Sequence, residues 1–461
     1  MSSDNKVLQA DLDGLREGFD GQVLTEGDEA YEEARRVHNG MIDRHPAVIA
    51  QCLSNGDVAA ALKFAIEQDL EIAVRGGGHN VAGRAVCDDG MMIDLSLMKT
   101  IEVNAESRQV RAGAGVNWGE FNRATQKFGL ATTGGAVSST GIAGLTLGGG
   151  FGFLMGKYGF TIDNLYAVEM VTLSGEEVRA SAIENAELFW GLRGGGGNFG
   201  VVTSFEFDLY PVGPRVHGGM IAWDSADAAD VLQKFQDFTL ESQDDFTVVA
   251  SLTHAPDGSG RKLAAMLACH CGEALAANEA LQPLKDFGDP VVNQLGPINY
   301  CKLNEMLDAG FPKLARNYWK SCFVAHFDET VQAILLDQFA RCPSPMCKLI
   351  TEHFHGAALR HDPSDMAFPH RASGYSILII AQWLDEAASD ANIAWARQTY
   401  DRLTPHMRSA AYSNYLDDDE TDDRVKQGFG ENYPRLQKLK HVYDPDNLLH
   451  RNQNIKPSAK A

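Results

Sequence analysis

Residues 131–164, ATTGGAVSSTGIAGLTLGGGFGFLMGKYGFTIDN, constrain this chain more than any other stretch. The run is too apolar for a solvent linker and too glycine-rich for a regular helix or strand, because glycine loses the most conformational freedom on ordering. Backbone packed against a flat, partly apolar ligand accounts for glycine, alanine, serine and threonine together. The alternative is a buried loop whose amides satisfy one another. Either way, the segment must wrap something.

A second signal lies at Val74 to Asn80, VRGGGHN, where a β-forming run from Glu71 to Val74 stops at Arg75, three glycines and His79. Serial glycines let backbone N–H groups turn into one concavity and approach an anion closely, which suits a pyrophosphate. His79 at the rim is then a bystander, a general base or a nucleophile towards a cofactor; an ordinary tight turn is the plain alternative. A third cluster, GGGGNFG, satisfies GxGxxG through Gly195, Gly197 and Gly200. That fingerprint works only with a strand before it and a helix after it. Here helix-like ENAELFWGLR precedes and strand-like VVTSFEFDLY follows, which disfavours a nicotinamide Rossmann domain.

At 461 residues the chain exceeds a single core, so two domains are expected. A net charge of −22 raises the cost of approaching a phosphate backbone, so nucleic acid is excluded as a partner, and no apolar stretch suggests a membrane span. The polar, acidic start MSSDNKVLQADLDGLREGFDG is unlike a secretory signal, so a cytoplasmic protein is expected. Eight scattered cysteines without an export signal argue against a disulfide framework. Cys269-His270-Cys271 puts two sulfurs on one strand face, but zinc needs two more ligands nearby and Cys342 with Cys347 is not at finger spacing. His353 and His355 share a strand face and read as substrate wall or surface, so no metal is expected. The acidic run Asp417 to Asp423 reads as a solvated loop.

Strand-like AVIAQC, EIAVR, MMIDLSLM, TIEVN and RQVRAGAG alternate with helical SNGDVAAALKFAIEQDL and NWGEFNRATQKFG, which gives an α+β class. Beyond Tyr210-Pro211 the glycine density falls, and strands such as KLITEHFH and YSILIIAQW alternate with amphipathic helices. From about residue 412 a tail rich in aromatic and amide residues returns to the first unit.

RGGGHN at 75–80, STGIAGLTLGGGFG at 139–152, KYGFTIDN at 157–164, GGGGNFGVVT at 194–203, YSNY at 412–415 and YDPDNLLHRNQNI at 443–455 together resemble the FAD-linked oxidases of the berberine-bridge-enzyme-like group, within the vanillyl-alcohol-oxidase superfamily. The resemblance covers nearly the whole chain. It implies a FAD domain of the vanillyl-alcohol-oxidase type from residues 1–211 plus 412–461. A substrate domain, an antiparallel sheet covered by helices, lies between them at 212–411.

The resemblance also implies roles. His79 matches the histidine through which the family attaches FAD covalently, with Arg75, Gly76, Gly77, Gly78, Asn80 and Gly83 around it. Gly135, Thr140, Gly141, Gly144, Gly149, Gly152 and Tyr158 fall in the second cofactor segment, and Gly200 and Val202 in the third. Many relatives carry a second, thioether link from a cysteine four residues before Gly141; Val137 stands there, so one covalent bond is expected, and sugar oxidation is disfavoured. Ile142 falls where relatives control oxygen access. Tyr415 matches a tyrosine at the flavin face and is the candidate base, if a positive charge lowers its pKa from about 10. His370 and Arg371 could supply that charge or bind a substrate oxygen, and Glu352 and His353 are fallback acid–base candidates. Tyr412 with Asn414, and Asn452 with Asn454, present alternate faces to cofactor and substrate if extended. The reading is an oxidase of an alcohol or amine C–H bond in a small hydrophobic or aromatic substrate, reoxidised by molecular oxygen. A dehydrogenase, a sugar oxidase and a catalytically idle flavin carrier are the alternatives.

Overall fold

The structure, a computed structural model, describes residues 9–241 and 243–459. Its first layer is a four-stranded sheet in the order Gln22–Leu24, Val48–Gln51, Met91–Asp94, Ile72–Arg75, parallel except at the first pair. Helix Asn55–Glu67 crosses between two of these strands, and it starts where expected: Ser54 accepts from the Asp57 amide in a reciprocal capping box. A five-stranded antiparallel sheet follows, ordered Ile101–Asn104, Gln109–Gly113, Val201–Asp208, Leu165–Val171, Glu177–Ser181.

The middle of the chain forms a large antiparallel sheet, centred on Phe246–His254, Lys348–Phe354, Gly374–Trp383 and Arg316–Val324. Helices Ala228–Leu240, Glu329–Ala340 and Ser389–Leu403 bury their apolar sides against one face. A separate core joins residues between Leu12 and Leu209 to residues between Ala411 and Ile455, so the tail packs with the first half of the chain. Among the described residues no helix is long and apolar enough to cross a membrane.

Three sequence readings need correction. Residues 131–164 are not devoid of helix: Ile142–Leu147 and Met155–Tyr158 are short helices, and Thr161–Asn164 is a 3-10 turn. Gly141 and Gly148 bound the first of these rather than interrupting it. The segment YSNY is not extended but a 3-10 turn at Ser413–Tyr415, so Asn414 Nδ2 reaches Tyr412 Oη on one side, 2.9 Å away. The acidic run is not simply solvated, because Asp417 accepts from the Trp319 amide at 3.1 Å and Asp419 accepts from Tyr318 Oη, Lys320 Nζ and Arg397 at 2.7, 2.7 and 2.8 Å. These contacts clamp the tail to the large sheet.

Candidate active site

A cavity of about 1030 Å³ runs between the sheets and the tail. Its wall includes Val74, Gly76, Gly77, Gly78, His79 and Asn80, Gly195 to Gly197, and Val201 and Val202. It also includes strand residues Lys348, Ile350 and Glu352, with Trp319, Leu378, Phe311 and Tyr415. Lys348, Ile350 and Glu352 share one face of a single strand because side chains alternate.

Backbone contact locks the glycine loops together. A Cβ on Gly77 would lie 2.5 Å from the Gly141 backbone, and one on Gly141 would lie 2.5 Å from Gly77 N. Strand Ile72–Arg75 holds this loop through Arg75, whose buried guanidinium pairs with Asp94 on the adjacent strand and donates to the Arg36 carbonyl at 3.2 Å. The tail closes the wall. Asn414 Nδ2 donates to the Leu145 carbonyl at 3.1 Å, Tyr412 Oη accepts from the Gly150 amide at 3.1 Å, and Asn80 Nδ2 donates to the Asn414 carbonyl at 3.2 Å.

At the His79 rim, the ring stacks on His38 with centroids 3.9 Å apart. Nε2 of each imidazole is buried without a hydrogen-bond partner. Burial, with the neighbouring His38 adding to it, lowers His79 to about 3, so the ring is neutral at physiological pH.

On the same wall Tyr415 Oη donates to Glu352 Oε1 at 3.3 Å. Burial pushes Glu352 up to about 8, against the lowering effect of hydrogen bonds from Ser376 and Tyr415. Burial, reinforced by the Glu352 charge, also holds the Tyr415 phenol well above its ordinary value. Tyr415 is thus coupled to a carboxylate, not to the expected cation.

Several expected site residues lie elsewhere. Arg371 is buried in an ion pair with Asp163, at 2.6 Å, and donates to the Ala358 carbonyl; His370 Nε2 meets the Gly428 carbonyl at 3.0 Å. Neither lines the cavity; both are engaged with these partners inside the protein. His353 points to the opposite face of its strand from Glu352 and packs on Tyr375 and His355, which strand alternation dictates. Arg75 is consumed by Asp94. Ile142 is fully buried in the core, between the cavity-lining Gly141 and Ala143. Gly83 packs against Ile42, Gly149 against Phe368, and Tyr158 stacks on Tyr210, all outside the wall. Asn452 lines the cavity and donates to the Gly197 carbonyl at 3.0 Å, whereas its expected companion Asn454 does not line it and Gln453 does. Gly135, Val137, Thr140, Gly141, Gly144, Gly152, Gly200, Val202, Tyr412 and Asn414 are on the wall.

Lys348 was missed by sequence reasoning, although its spacing from Glu352 in KLITE carried the signal. The stacked His38, which approaches from a distant loop, carried none.

Residues 46–181 match the model of the FAD binding domain, and residues 411–456 match the berberine and berberine-like model. The chain is 28% identical over 459 residues to the (R)-6-hydroxynicotine oxidase of Paenarthrobacter nicotinovorans, covering 95% of this chain and 97% of that protein. A FAD-linked oxidoreductase of Dictyostelium discoideum is 29% identical, with 96% of each chain covered. The crystal structure of 6-hydroxy-D-nicotine oxidase from Arthrobacter nicotinovorans superposes with a TM-score of 0.87 at 29% identity, covering 95% of this chain and 98% of that one. Berberine bridge enzyme from Eschscholzia californica shares the fold with a TM-score of 0.87 at 20% identity, covering 98% of this chain and 100% of the other. The chain therefore carries a FAD binding domain and a berberine-like segment, and it is similar along nearly its full length to FAD-linked oxidoreductases.

Proposed function

We propose that the protein is an oxidase carrying FAD linked through His79, which oxidises a C–H bond next to an alcohol oxygen or amine nitrogen of a small hydrophobic or aromatic molecule. The residues fit such a group. Gly144 borders the cavity inside helix Ile142–Leu147, and a Cβ built there meets nothing within 4 Å. Glycine in a helix costs roughly 0.5–1 kcal/mol relative to alanine, so space kept open at that cost suits a flat ligand laid against the backbone. The neutral His79 ring borders the same space, as a nucleophilic attachment point requires. FAD held there supplies the two-electron acceptor for the hydride.

The observation that carries the catalytic reading is the enclosed Tyr415–Glu352 pair. A substrate hydroxyl or amine beside Tyr415 gives its proton to the phenol oxygen while the phenol proton passes to Glu352. Glu352 is the terminal base in its ionised form, which a pKa of about 8 makes increasingly available as pH rises towards that value. The aromatic and aliphatic wall of Phe311, Trp319, Ile350 and Leu378 excludes water and favours a hydrophobic substrate over an oligosaccharide.

The test is an anaerobic screen of alcohols, amines and sugars for loss of the yellow flavin absorbance. Peroxide formed under air is then compared with reduction of a dye acceptor. Bleaching by aromatic alcohols or amines, with peroxide in air, is expected; bleaching by sugars alone would overturn the reading.

A further inference from the structure

Lys348 is a cation that the protein leaves without a counter-charge. Its side chain borders the cavity in a residue only 8% exposed. Nζ donates to the Gly310 carbonyl at 2.5 Å, lies 3.4 Å from Gln382 Oε1, and sits 4.3 Å from the centroid of the Phe311 ring. No aspartate or glutamate among the described residues forms an ion pair with it. Gln382 is held for this contact, because its Nε2 donates to Asn317 Oδ1 at 3.0 Å. An ammonium has three donors, and two neutral oxygens leave one free and the charge uncompensated. Burial lowers Lys348 to about 8, so the charged form still predominates at neutral pH.

An uncompensated buried charge is costly unless a ligand supplies the opposite sign. Glu352 lies four residues along the same strand face, about 13 Å of strand away. We propose that Lys348 forms an anion-recognising end of the substrate site, and that the substrate is an aromatic or apolar molecule with an acidic oxygen, such as a carboxylate, at the end remote from the oxidised C–H bond. This rests on the reading of Tyr415 and Glu352 as the oxidising end. The acidic oxygen takes the free ammonium donor, the apolar body lies along Ile350 and Leu378, and the reacting carbon lies towards Tyr415.

The test is calorimetric titration of the oxidised holoenzyme with aryl carboxylates from benzoate to phenylbutyrate, each against its primary amide. Some acid in the series should bind about tenfold or more tightly than its amide, as a charge-assisted hydrogen bond implies. Lys348→Met should bring that ratio near one with amide affinity retained, and Lys348→Arg should preserve it. Tyr415→Phe should preserve it too, so failure of the catalytic reading remains distinguishable from failure of this one. Equal binding of every acid and amide, or a preference that survives Lys348→Met, would overturn the proposal.

Discussion

Tyr415 donates its hydroxyl to Glu352 across 3.3 Å, joining a turn near the carboxyl end of the chain to the middle of the large sheet. Neither residue has the environment of an ordinary surface acid or phenol, since burial raises both. Tyr415→Phe removes the proton-accepting oxygen and leaves most of the packing. We expect flavin content to be unchanged and the anaerobic rate of flavin reduction to fall by about a hundredfold or more. Stopped-flow absorbance reads this directly, and an unaltered rate would remove Tyr415 from the chemistry.

Glu352 also makes stability depend on pH. Its folded pKa, about 8, lies above the ordinary carboxyl value of 4.5, so the native state binds a proton that the unfolded chain releases. The stabilising contribution is complete below about 4.5 and is lost as pH rises through about 8. Glu352→Gln should flatten this part of the profile. In thermal melts at pH 5 and pH 9, the variant should lose less Tm between the two conditions than the parent, by roughly 5 °C.

Gly144→Ala separates ligand fit from folding. The added methyl group meets nothing within 4 Å and removes the entropic cost of glycine in a helix, so the flavin-free protein should gain up to about 1 kcal/mol. Flavin occupancy should fall, read as the ratio of flavin to protein absorbance. A variant that folds better and still fills with flavin would refute the cradle.

His79→Ala should abolish covalent attachment. Acid-precipitated parent protein is expected yellow, with added mass on the peptide that contains His79, whereas the variant precipitate should be colourless. A yellow variant precipitate would place the linkage elsewhere.

Much of this was legible in the sequence because it is local. The capping box at Ser54, the strand before the glycine loop and the inverted order around Gly195 to Gly200 follow from short-range pattern. The resemblance supplied the reach of the tail into the site, which periodicity alone does not contain. The misreadings arose where a side chain had two available partners and only tertiary packing decides between them. Arg371 found Asp163, 208 residues away, and Arg75 found Asp94. The assumption of an extended YSNY segment failed because Asn414 and Tyr412 are drawn together onto the 145–150 backbone. For His353 against Glu352, alternation already held the answer once one face of the strand was assigned to the cavity.

Asp419 clamps the tail through Tyr318, Lys320 and Arg397, and these partners hold its carboxyl down at about 2 despite the opposing effect of burial. A lowered acid contributes stability that is present above its unfolded pKa and lost as pH falls through the folded value, here between about 4 and 2. Asp419→Asn should cost about 1 kcal/mol at neutral pH, since Glu420 still neutralises Lys320. Urea unfolding midpoints at pH 7 measure the difference.

Tyr412, Asn414, Tyr415 and Asn452 all come from beyond residue 411, so the chamber has its final wall only once that segment has folded back onto the rest of the chain. A premature stop codon ahead of residue 411 would remove this wall and, with it, the part of the first core that residues between Ala411 and Ile455 supply.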